Sequence, residues 1–147
     1  MTDKEKLERE AIIKEALTWQ KTPYHCGGRI KGAGTDCGLF ILQVFENVGL
    51  LPHIEIPTYP IDIAANCATP MYLNKIKEYC HEVNREPLVG DIIVYKMKGS
   101  LVPHHAALCC DKEFIIHSHV KTGVTLSNRK GFKPFEVGIY SFDGWND

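Results

Sequence analysis

The sequence predicts an α+β fold in which N-terminal helices pack on one face of an antiparallel sheet of about five strands. Apolar residues in the first half of the chain recur three and four positions apart, which is the spacing of amphipathic helices. From Pro87 onward, short β-rich runs alternate with turn residues and are joined by connections of hairpin length. With no repeat or linker in 147 residues, we expect one domain covering residues 1–147.

The first predicted helix extends from about Asp3 to Thr18. Thr2 and Glu5 have the spacing of a capping box at its start, and Pro23 disfavours helix shortly beyond its end. Its expected inward face is formed by Leu7, Ala11, Ile12, Ala16 and Leu17. The pattern therefore predicts a helix that packs on the core through its apolar side.

The second predicted helix begins near Cys37. Thr35 or Asp36 is a suitable N-cap, and Gly49 is typical of the residue just past a helix C-terminus. Its apolar stripe consists of Phe40, Ile41, Val44, Phe45 and Val48. The preceding loop, residues 24–35, carries four glycines, which suit tight turns or the close approach of a ligand. Cys37 thus lies in the first helical turn, where unpaired backbone N–H groups and the helix dipole favour a thiolate.

The middle of the chain is expected to be irregular before the β half begins. Residues 51–60 contain three prolines and are expected to be extended, whereas residues 61–68 are expected to form a short helix. A further helix is predicted from Pro70 to about His81, with inward residues Tyr72, Leu73, Ile76, Tyr79 and Cys80. The expected strands are Ile92–Tyr95, Ala106–Cys110, Phe114–His117, Val124–Leu126 and Val137–Phe142.

Composition and charge argue against several functional classes. The formal net charge of −1 provides no basic footprint for nucleic acid. No apolar run approaches the roughly 20 residues that span a bilayer, so no membrane partner is expected. The charged N-terminus lacks the apolar core of a signal peptide, so we expect synthesis in the cytoplasm and delivery by another route. Of the six cysteines, we expect the five other than Cys37 to be reduced.

A cysteine nucleophile needs a base that takes its proton and, usually, a third group that orients the base. His105 opens one predicted strand and His117 ends the next, so a hairpin around Asp111-Lys112 would place both at the same end of the sheet. His105 could then reach Cys37 while His117 holds the outer nitrogen of its imidazole. A backbone N–H at the helix start, together with the hydroxyl of Tyr24, would stabilise an oxyanion.

Spacing alone leaves alternatives open. Because the chain has seven histidines, a buried helix cysteine with unrelated polar histidines at strand ends would give the same pattern. His104 competes with His105 for the role of base, although on a strand it would point to the opposite face. Together with His119, the three candidate residues are types that bind zinc, but their spacing matches no known zinc pattern, so no metal site is predicted.

Four blocks, in this order, resemble the signature of the NlpC/P60 cysteine peptidases, and the resemblance covers roughly residues 11–142. They are Thr22-Pro-Tyr24-x-x-Gly27-Gly28, Gly34-Thr-Asp36-Cys37-Gly-Leu-Phe40, Gly90-Asp91-Ile-Ile-Val-Tyr95, and His105-Ala-Ala-Leu with Phe114-Ile-Ile-His117. One departure is Gly38, where many members have serine. The similarity is greatest to compact single-domain members encoded among phage and prophage tail genes.

This resemblance implies a papain-like α+β fold with Cys37 as nucleophile, His105 as general base and His117 as the residue that orients the base. It also implies that the Tyr24 hydroxyl lies near the oxyanion and that Asp36 supports the nucleophile. The implied activity is hydrolysis of an amide or peptide bond in the stem peptide of bacterial peptidoglycan, without a cofactor. The implied partners are peptidoglycan or murein peptides and phage tail proteins, with the tail delivering the protein to the cell wall.

Two other functions are compatible with the same scaffold. One is a different reaction, namely that of a thioesterase, an acyltransferase or an amidase toxin delivered between bacteria. The other is a non-catalytic role in tail assembly. Because one fold hosts several chemistries, the resemblance predicts the reaction class better than the substrate.

Overall fold

The structure is a computed structural model that describes residues 1–55, 69–99 and 103–145, and for residues 69–73 it describes the backbone alone. In chain order the elements are α1 (Asp3–Leu17), β1 (Arg29–Ile30), β2 (Gly34–Thr35), α2 (Cys37–Asn47), α3 (Thr69–Tyr79), β3 (Cys80–Glu82), β4 (Ile92–Tyr95), β5 (His105–Cys109), β6 (Phe114–His119), β7 (Gly123–Asn128) and β8 (Glu136–Phe142). The short helix expected over 61–68 and half of the extended segment expected over 51–60 lie outside the described residues. No helix in the described ranges is long and apolar enough to cross a membrane.

Six strands form an antiparallel sheet in the order β3-β8-β4-β5-β6-β7, which confirms the α+β class. The five predicted strands correspond to β4–β8. The prediction was wrong at Cys80 and His81, which were assigned to the end of a helix and instead belong to β3. His81 pairs there with Ser141 of β8. A backbone partner so distant in sequence overrides local helix propensity, because the edge of β8 offers hydrogen bonds that a frayed helix end lacks.

The central strands β4, β5 and β6 bury residues on both faces of the sheet. On the face that we call the helix face, α2 packs against β5 and β6. The buried strand residues in that core are Cys80, Ile92, Val94, Ala106, Leu108, Ile116 and Val124. The alternate residues Ile93, Tyr95, Ala107, Cys109 and Ile115 form a second cluster on the opposite face, covered by Met97, Phe132 and Phe135. Because side chains alternate along a strand, the same strand contributes residues to the helix face and to the opposite face.

Helix α1 begins as predicted, and its predicted inward residues Ile12 and Ala16 are fully buried, whereas Leu17 is 38% exposed. The Thr2 hydroxyl accepts from the Glu5 backbone N–H at 3.1 Å, which confirms the N-cap. Leu7, expected inside, is 66% exposed, whereas the Arg9 side chain is buried. Arg9 bonds the carboxylates of Glu5 at 3.1 Å and Asp91 at 2.8 Å. A buried guanidinium must keep its carboxylate partners, so this pairing holds Arg9 inside at the N-terminal half of the helix, where the apolar pattern predicts Leu7.

The glycine-rich loop before α2 folds into the small β1–β2 hairpin. Arg29 pairs with Thr35 across it. A Cβ on Gly28 would lie 2.6 Å from the Gly34 carbonyl oxygen, and a Cβ on Gly34 would lie 2.7 Å from the Cβ of His25. The glycines are therefore needed for the close approach of the loop's own backbone, which brings it against the start of α2.

Candidate active site

Cys37 occupies the first position of α2 and is 2% exposed. Its neighbour Asp36 is the N-cap, and one carboxylate oxygen accepts from the Leu39 backbone N–H at 2.9 Å. The other oxygen accepts from the Gly27 N–H at 2.8 Å. Asp36 therefore holds both the helix start and the preceding loop, so that the cysteine backbone is fixed from two sides.

The thiol of Cys37 faces the beginning of β5. Its Sγ lies 3.8 Å from the carbonyl oxygen of His104, a distance consistent with a weak S–H···O hydrogen bond. That carbonyl belongs to the peptide group preceding His105, so the sulfur and the predicted base lie at the same end of the sheet. This contact joins two segments that are 67 positions apart in the chain.

The two predicted histidines are directly hydrogen-bonded. Nε2 of His105 lies 2.7 Å from Nδ1 of His117, and their ring centroids are 4.9 Å apart. Nε2 of His117 in turn lies 2.8 Å from the Ser127 hydroxyl on β7. The Phe132 ring packs edge-on against His117, with centroids 5.1 Å apart. The hairpin inferred from the sequence thus brings His105 and His117 together, within a chain of contacts that extends to Ser127.

The histidines and helix α2 lie on opposite faces of the sheet. His105 is in register with Tyr95, and their rings are 5.8 Å apart, so His105 belongs to the face covered by Phe132. Successive residues of β5 point to opposite faces of the sheet, so the next residue, Ala106, lies on the helix face. The thiol therefore contacts the backbone of His104 at the end of the sheet where His105 is the first residue of its strand.

Burial keeps these imidazoles neutral near pH 7. It lowers the pKa of His105 well below the usual value, and the neighbouring His117, His119 and His104 act in the same direction. Burial, with a smaller effect of His119, lowers the pKa of His117 to about 4. Since Nε2 of His105 is taken by His117, Nδ1 is the nitrogen left to receive a proton from a thiol.

Tyr24, predicted to lie near an oxyanion, is held beside the start of α2. Its backbone forms a bridge with Thr35, two residues before Cys37, and its side chain is half-buried. The Thr35 carbonyl also accepts from the buried Ser118 hydroxyl at 2.8 Å. Strand β6 therefore supports this corner of the loop, and the role of the Tyr24 hydroxyl stays a prediction.

Sequence reasoning did not single out Ser127 or Phe132, both of which contact His117. The alternation of side chains along paired strands could have identified Ser127. His117 is in register with Thr125 on β7, so the residue two positions further along that strand lies on the same face and diagonally across from His117. If the predicted strands Phe114–His117 and Val124–Leu126 are paired and the second is extended by one residue, Ser127 lies diagonally across from His117.

Two further histidines, His119 and His104, are neighbours of His105. His119 lies with its ring centroid 6.0 Å from that of His105, and the Nδ1 atom of His104 is buried without a hydrogen-bond partner. Within residues 1–55, 69–99 and 103–145, no group of three or more His, Cys, Asp or Glu side chains is arranged to hold a metal ion.

Among the cysteines in the described part of the chain, Cys26 departs from expectation. Cys37, Cys80, Cys109 and Cys110 are free, but Cys26, expected to be reduced, is disulfide-bonded. The composition argument failed here because a bond depends on which loops the fold brings together, and spacing in the sequence does not contain that information.

Comparison with known proteins gives the same fold. The NlpC/P60 domain of the peptidoglycan hydrolase SagA aligns with a TM-score of 0.60 at 20% identity, over 91% of this chain and 98% of that one. An NlpC/P60 family protein from Bacillus cereus aligns with a TM-score of 0.66 at 22% identity, over 91% of this chain but only 40% of the longer protein. RipD from Mycobacterium tuberculosis, described as a non-catalytic NlpC/p60 domain protein adapted to peptidoglycan binding, aligns with a TM-score of 0.57 at 16% identity, over 92% and 97% of the two chains.

No relative is found among curated protein sequences. The structural similarities, all at low sequence identity, establish the shared fold. The model of the NlpC/P60 family matches residues 21–136, which include the Cys37 helix start and the His105–His117 hairpin. The chain therefore belongs to the NlpC/P60 family.

Proposed function

We propose that this chain is a cysteine hydrolase that cleaves an amide or peptide bond in the stem peptide of bacterial peptidoglycan. The observation that supports this most directly is the position of the Cys37 thiol against the start of β5, next to the hydrogen-bonded His105–His117 pair. A thiol at a helix N-terminus, beside a base that a third group orients, is the arrangement of an activated nucleophile.

The first half of the reaction transfers the acyl group to sulfur. His105 Nδ1 takes the Cys37 proton, and the thiolate attacks the substrate carbonyl carbon. The resulting oxyanion is stabilised by backbone N–H at the start of α2 and by the Tyr24 hydroxyl. The protonated His105 then gives its proton to the leaving amine nitrogen, the C–N bond breaks, and a thioester to Cys37 remains.

The second half of the reaction releases the acid. Neutral His105 takes a proton from water, and the hydroxide attacks the thioester carbonyl. Collapse of the tetrahedral intermediate breaks the C–S bond, and the proton on His105 returns to the sulfur. His117 holds the His105 ring throughout, because its Nδ1 lies within hydrogen-bond distance, 2.7 Å, of His105 Nε2. The cycle needs no group beyond the chain, the substrate and water.

The substrate class is supported by SagA, whose NlpC/P60 domain is that of a peptidoglycan hydrolase. RipD, which is non-catalytic and adapted to peptidoglycan binding, motivates a second candidate function, namely binding without cleavage. The two candidates make opposite predictions for Cys37, since a binding module does not need the thiol.

Digestion of purified sacculi separates these functions. The wild type, Cys37→Ala and the matched control Cys110→Ala, which removes a free half-buried cysteine on the turn after β5, are incubated with sacculi. We expect the wild type and Cys110→Ala to release muropeptides whose new amine and carboxyl termini, read by mass spectrometry, identify the cleaved bond. Cys37→Ala should release none while still binding.

Other outcomes would select another function. Binding by all three proteins without release from any of them would favour the non-catalytic module. Intact sacculi combined with Cys37-dependent acyl transfer from a thioester would favour a thioesterase or acyltransferase. Equal release by wild type and Cys37→Ala would contradict the proposed nucleophile.

We also propose that a phage or prophage tail carries the protein to the cell wall. The support is the resemblance of its sequence blocks to compact members encoded among tail genes. Mass spectrometry of purified particles from a strain that encodes the chain should detect its peptides at a fixed ratio to tail proteins. Detection in culture fluid of a strain that makes no particles would instead favour a toxin delivered between bacteria.

A further inference from the structure

We propose that Ser127 is a positioning residue for the reaction: its hydroxyl accepts a hydrogen bond from His117 Nε2–H and thereby sets the direction of proton donation through His117 to His105. This inference rests on the proposed hydrolase function. It assigns to β7 a part in the chemistry that neither the sequence motifs nor the family resemblance contain.

The geometry limits His117 to two protein partners. The ring is fully buried, so each of its nitrogens must be satisfied within the molecule. Nδ1 lies 2.7 Å from His105 Nε2, and Nε2 lies 2.8 Å from Ser127 Oγ. Phe132 packs against the ring and limits its rotation. The neutral ring carries one proton, so one contact is donated and the other accepted.

Only one of the two possible directions leaves a competent base. If His117 Nε2–H donates to Ser127, its Nδ1 accepts from His105 Nε2–H, and His105 Nδ1 is then unprotonated and can take the thiol proton. If Ser127 donates instead, the proton of His117 lies on Nδ1 and is donated to His105 Nε2. The proton of His105 is then on Nδ1, where it blocks uptake from the thiol.

Ser127 is suited to the accepting role. Its side chain is half-exposed, and within the described part of the chain His117 is the group that hydrogen-bonds its Oγ. The hydroxyl proton can therefore point to solvent while the oxygen accepts from His117. The buried chain then has one direction, from the thiol through both imidazoles to water.

The kinetic test compares Ser127→Ala and Ser127→Asp with the matched control Thr125→Ala. Thr125 lies directly opposite His117 on the same strand, and its hydroxyl bonds the Leu126 carbonyl instead of an imidazole. We expect Ser127→Ala to lower kcat on muropeptides roughly tenfold, by analogy with histidines that lose an outer hydrogen bond, with KM within about twofold. Thr125→Ala should retain wild-type kcat.

Ser127→Asp distinguishes positioning from mere packing. A carboxylate can only accept from His117, so the productive direction is kept and kcat at neutral pH should stay within about threefold of wild type. The carboxylate also favours protonated His117, so the acid limb of the kcat profile should move to higher pH. A purely structural serine would give equal losses in both variants and an unmoved acid limb, which would overturn the proposal.

Nitrogen NMR of the imidazoles tests the hydrogen-bond direction without a substrate. In the wild type we expect His117 to carry its proton on Nε2 and His105 to carry it on Nε2, and we expect Ser127→Ala to mix the tautomers. Unchanged tautomers in Ser127→Ala, or mixed tautomers with full kcat, would refute the role of Ser127. If no sacculus is cleaved by any variant, the spectra still decide the direction of the chain, so failure of this inference and failure of the hydrolase function are separable.

Discussion

The candidate site has two halves: the nucleophile half, around Cys37 and Asp36, and the base half, around His105 and His117. Within each half the contacts join residues that are close in the sequence, but different kinds of structure hold the two halves in place. In the nucleophile half, Asp36 accepts from Gly27 and Leu39, which lie nine and three positions away. In the base half, His117 contacts His105 and Ser127, which lie 12 and 10 positions away on neighbouring strands. A capped helix with a folded loop therefore fixes the thiol, whereas strand register and burial fix the imidazoles.

The halves are joined by contacts of much longer range. The Cys37 thiol meets the His104 carbonyl across 67 positions, and the Ser118 hydroxyl donates to the Thr35 carbonyl across 83 positions. Each half can therefore form correctly while the distance between thiol and imidazole is wrong. Since proton transfer needs hydrogen-bond reach, these joining contacts are as important as the chemical groups themselves.

The largest effect is expected from removing the base. His105→Ala should lower kcat/KM on muropeptides by about 10³-fold, because proton transfer is lost while the nucleophile half stays intact. His104→Ala is the matched control, since it removes the adjacent imidazole but keeps the backbone carbonyl that the thiol contacts. Steady-state kinetics with both variants decides which histidine is the base. A greater loss in His104→Ala than in His105→Ala would reverse the assignment.

The parts of the site that the sequence predicts correctly are those held by contacts between residues close in the sequence. The α2 start could be placed because an N-cap, an apolar stripe and Gly49 are all local signals, and Gly49 indeed has a positive φ of 82°. The hairpin of β5 and β6 could be placed because a short turn separates two β-rich runs. Both predictions use information within about a dozen residues.

The elements that could not be predicted depend on distant partners. Strand β3 exists because β8 pairs with it, and α1 turns Arg9 inward because Asp91 receives it 82 positions later. For this reason the local pattern of α1 correctly predicts that Ile12 and Ala16 are buried but does not predict that Leu7 is exposed. Ser127 lies between these cases, because alternation places it correctly only after the strand pairing is known. Local pattern thus predicts elements, and long-range pairing decides their final contacts.

The next largest effect is the pH dependence of stability, which tests whether burial keeps His117 neutral in the base half. The pKa of His117 is lowered from 6.5 to about 4, so the unfolded chain binds a proton more readily than the folded one between those values. Its contribution is complete above pH 6.5 and is lost as the pH falls through about 4, for a total of roughly 3 kcal/mol. Protonation would also leave Nδ1 unable to accept from His105.

Denaturant unfolding between pH 7 and pH 4 measures this loss. His117→Asn, which cannot titrate in this range, should unfold with a weaker pH dependence than the wild type, although it is less stable at pH 7. Parallel curves for the two proteins would show that the acid sensitivity arises from other groups and that His117 is not held neutral by its surroundings.

A smaller effect is expected from weakening the nucleophile half. Asp36→Ala removes the cap on α2 and the bond to Gly27, so we expect a loss of about 1–2 kcal/mol in unfolding free energy and slower alkylation of Cys37 at pH 7. Asp36→Asn keeps one accepting oxygen and should lose less of both. Peptide-level mass spectrometry after iodoacetamide treatment reports Cys37 separately from the other cysteines. Unchanged alkylation in both variants would mean that the cap stabilises the helix without preparing the thiol.

The smallest effect on stability should reveal the contacts that join the halves. Ser118→Ala removes the bond to Thr35, and Ser141→Ala is the matched control, since Ser141 is equally buried but accepts from Arg9 far from the site. Each change should cost about 1 kcal/mol, the typical net value of one hydrogen bond. Of the two variants, Ser118→Ala alone should also lower kcat severalfold, because the Ser118 bond ties the loop before Cys37 to the strand that carries His117, whereas the Ser141 bond does not. Equal kcat in the two variants would show that packing of α2 on the sheet is sufficient to set the distance between thiol and imidazole.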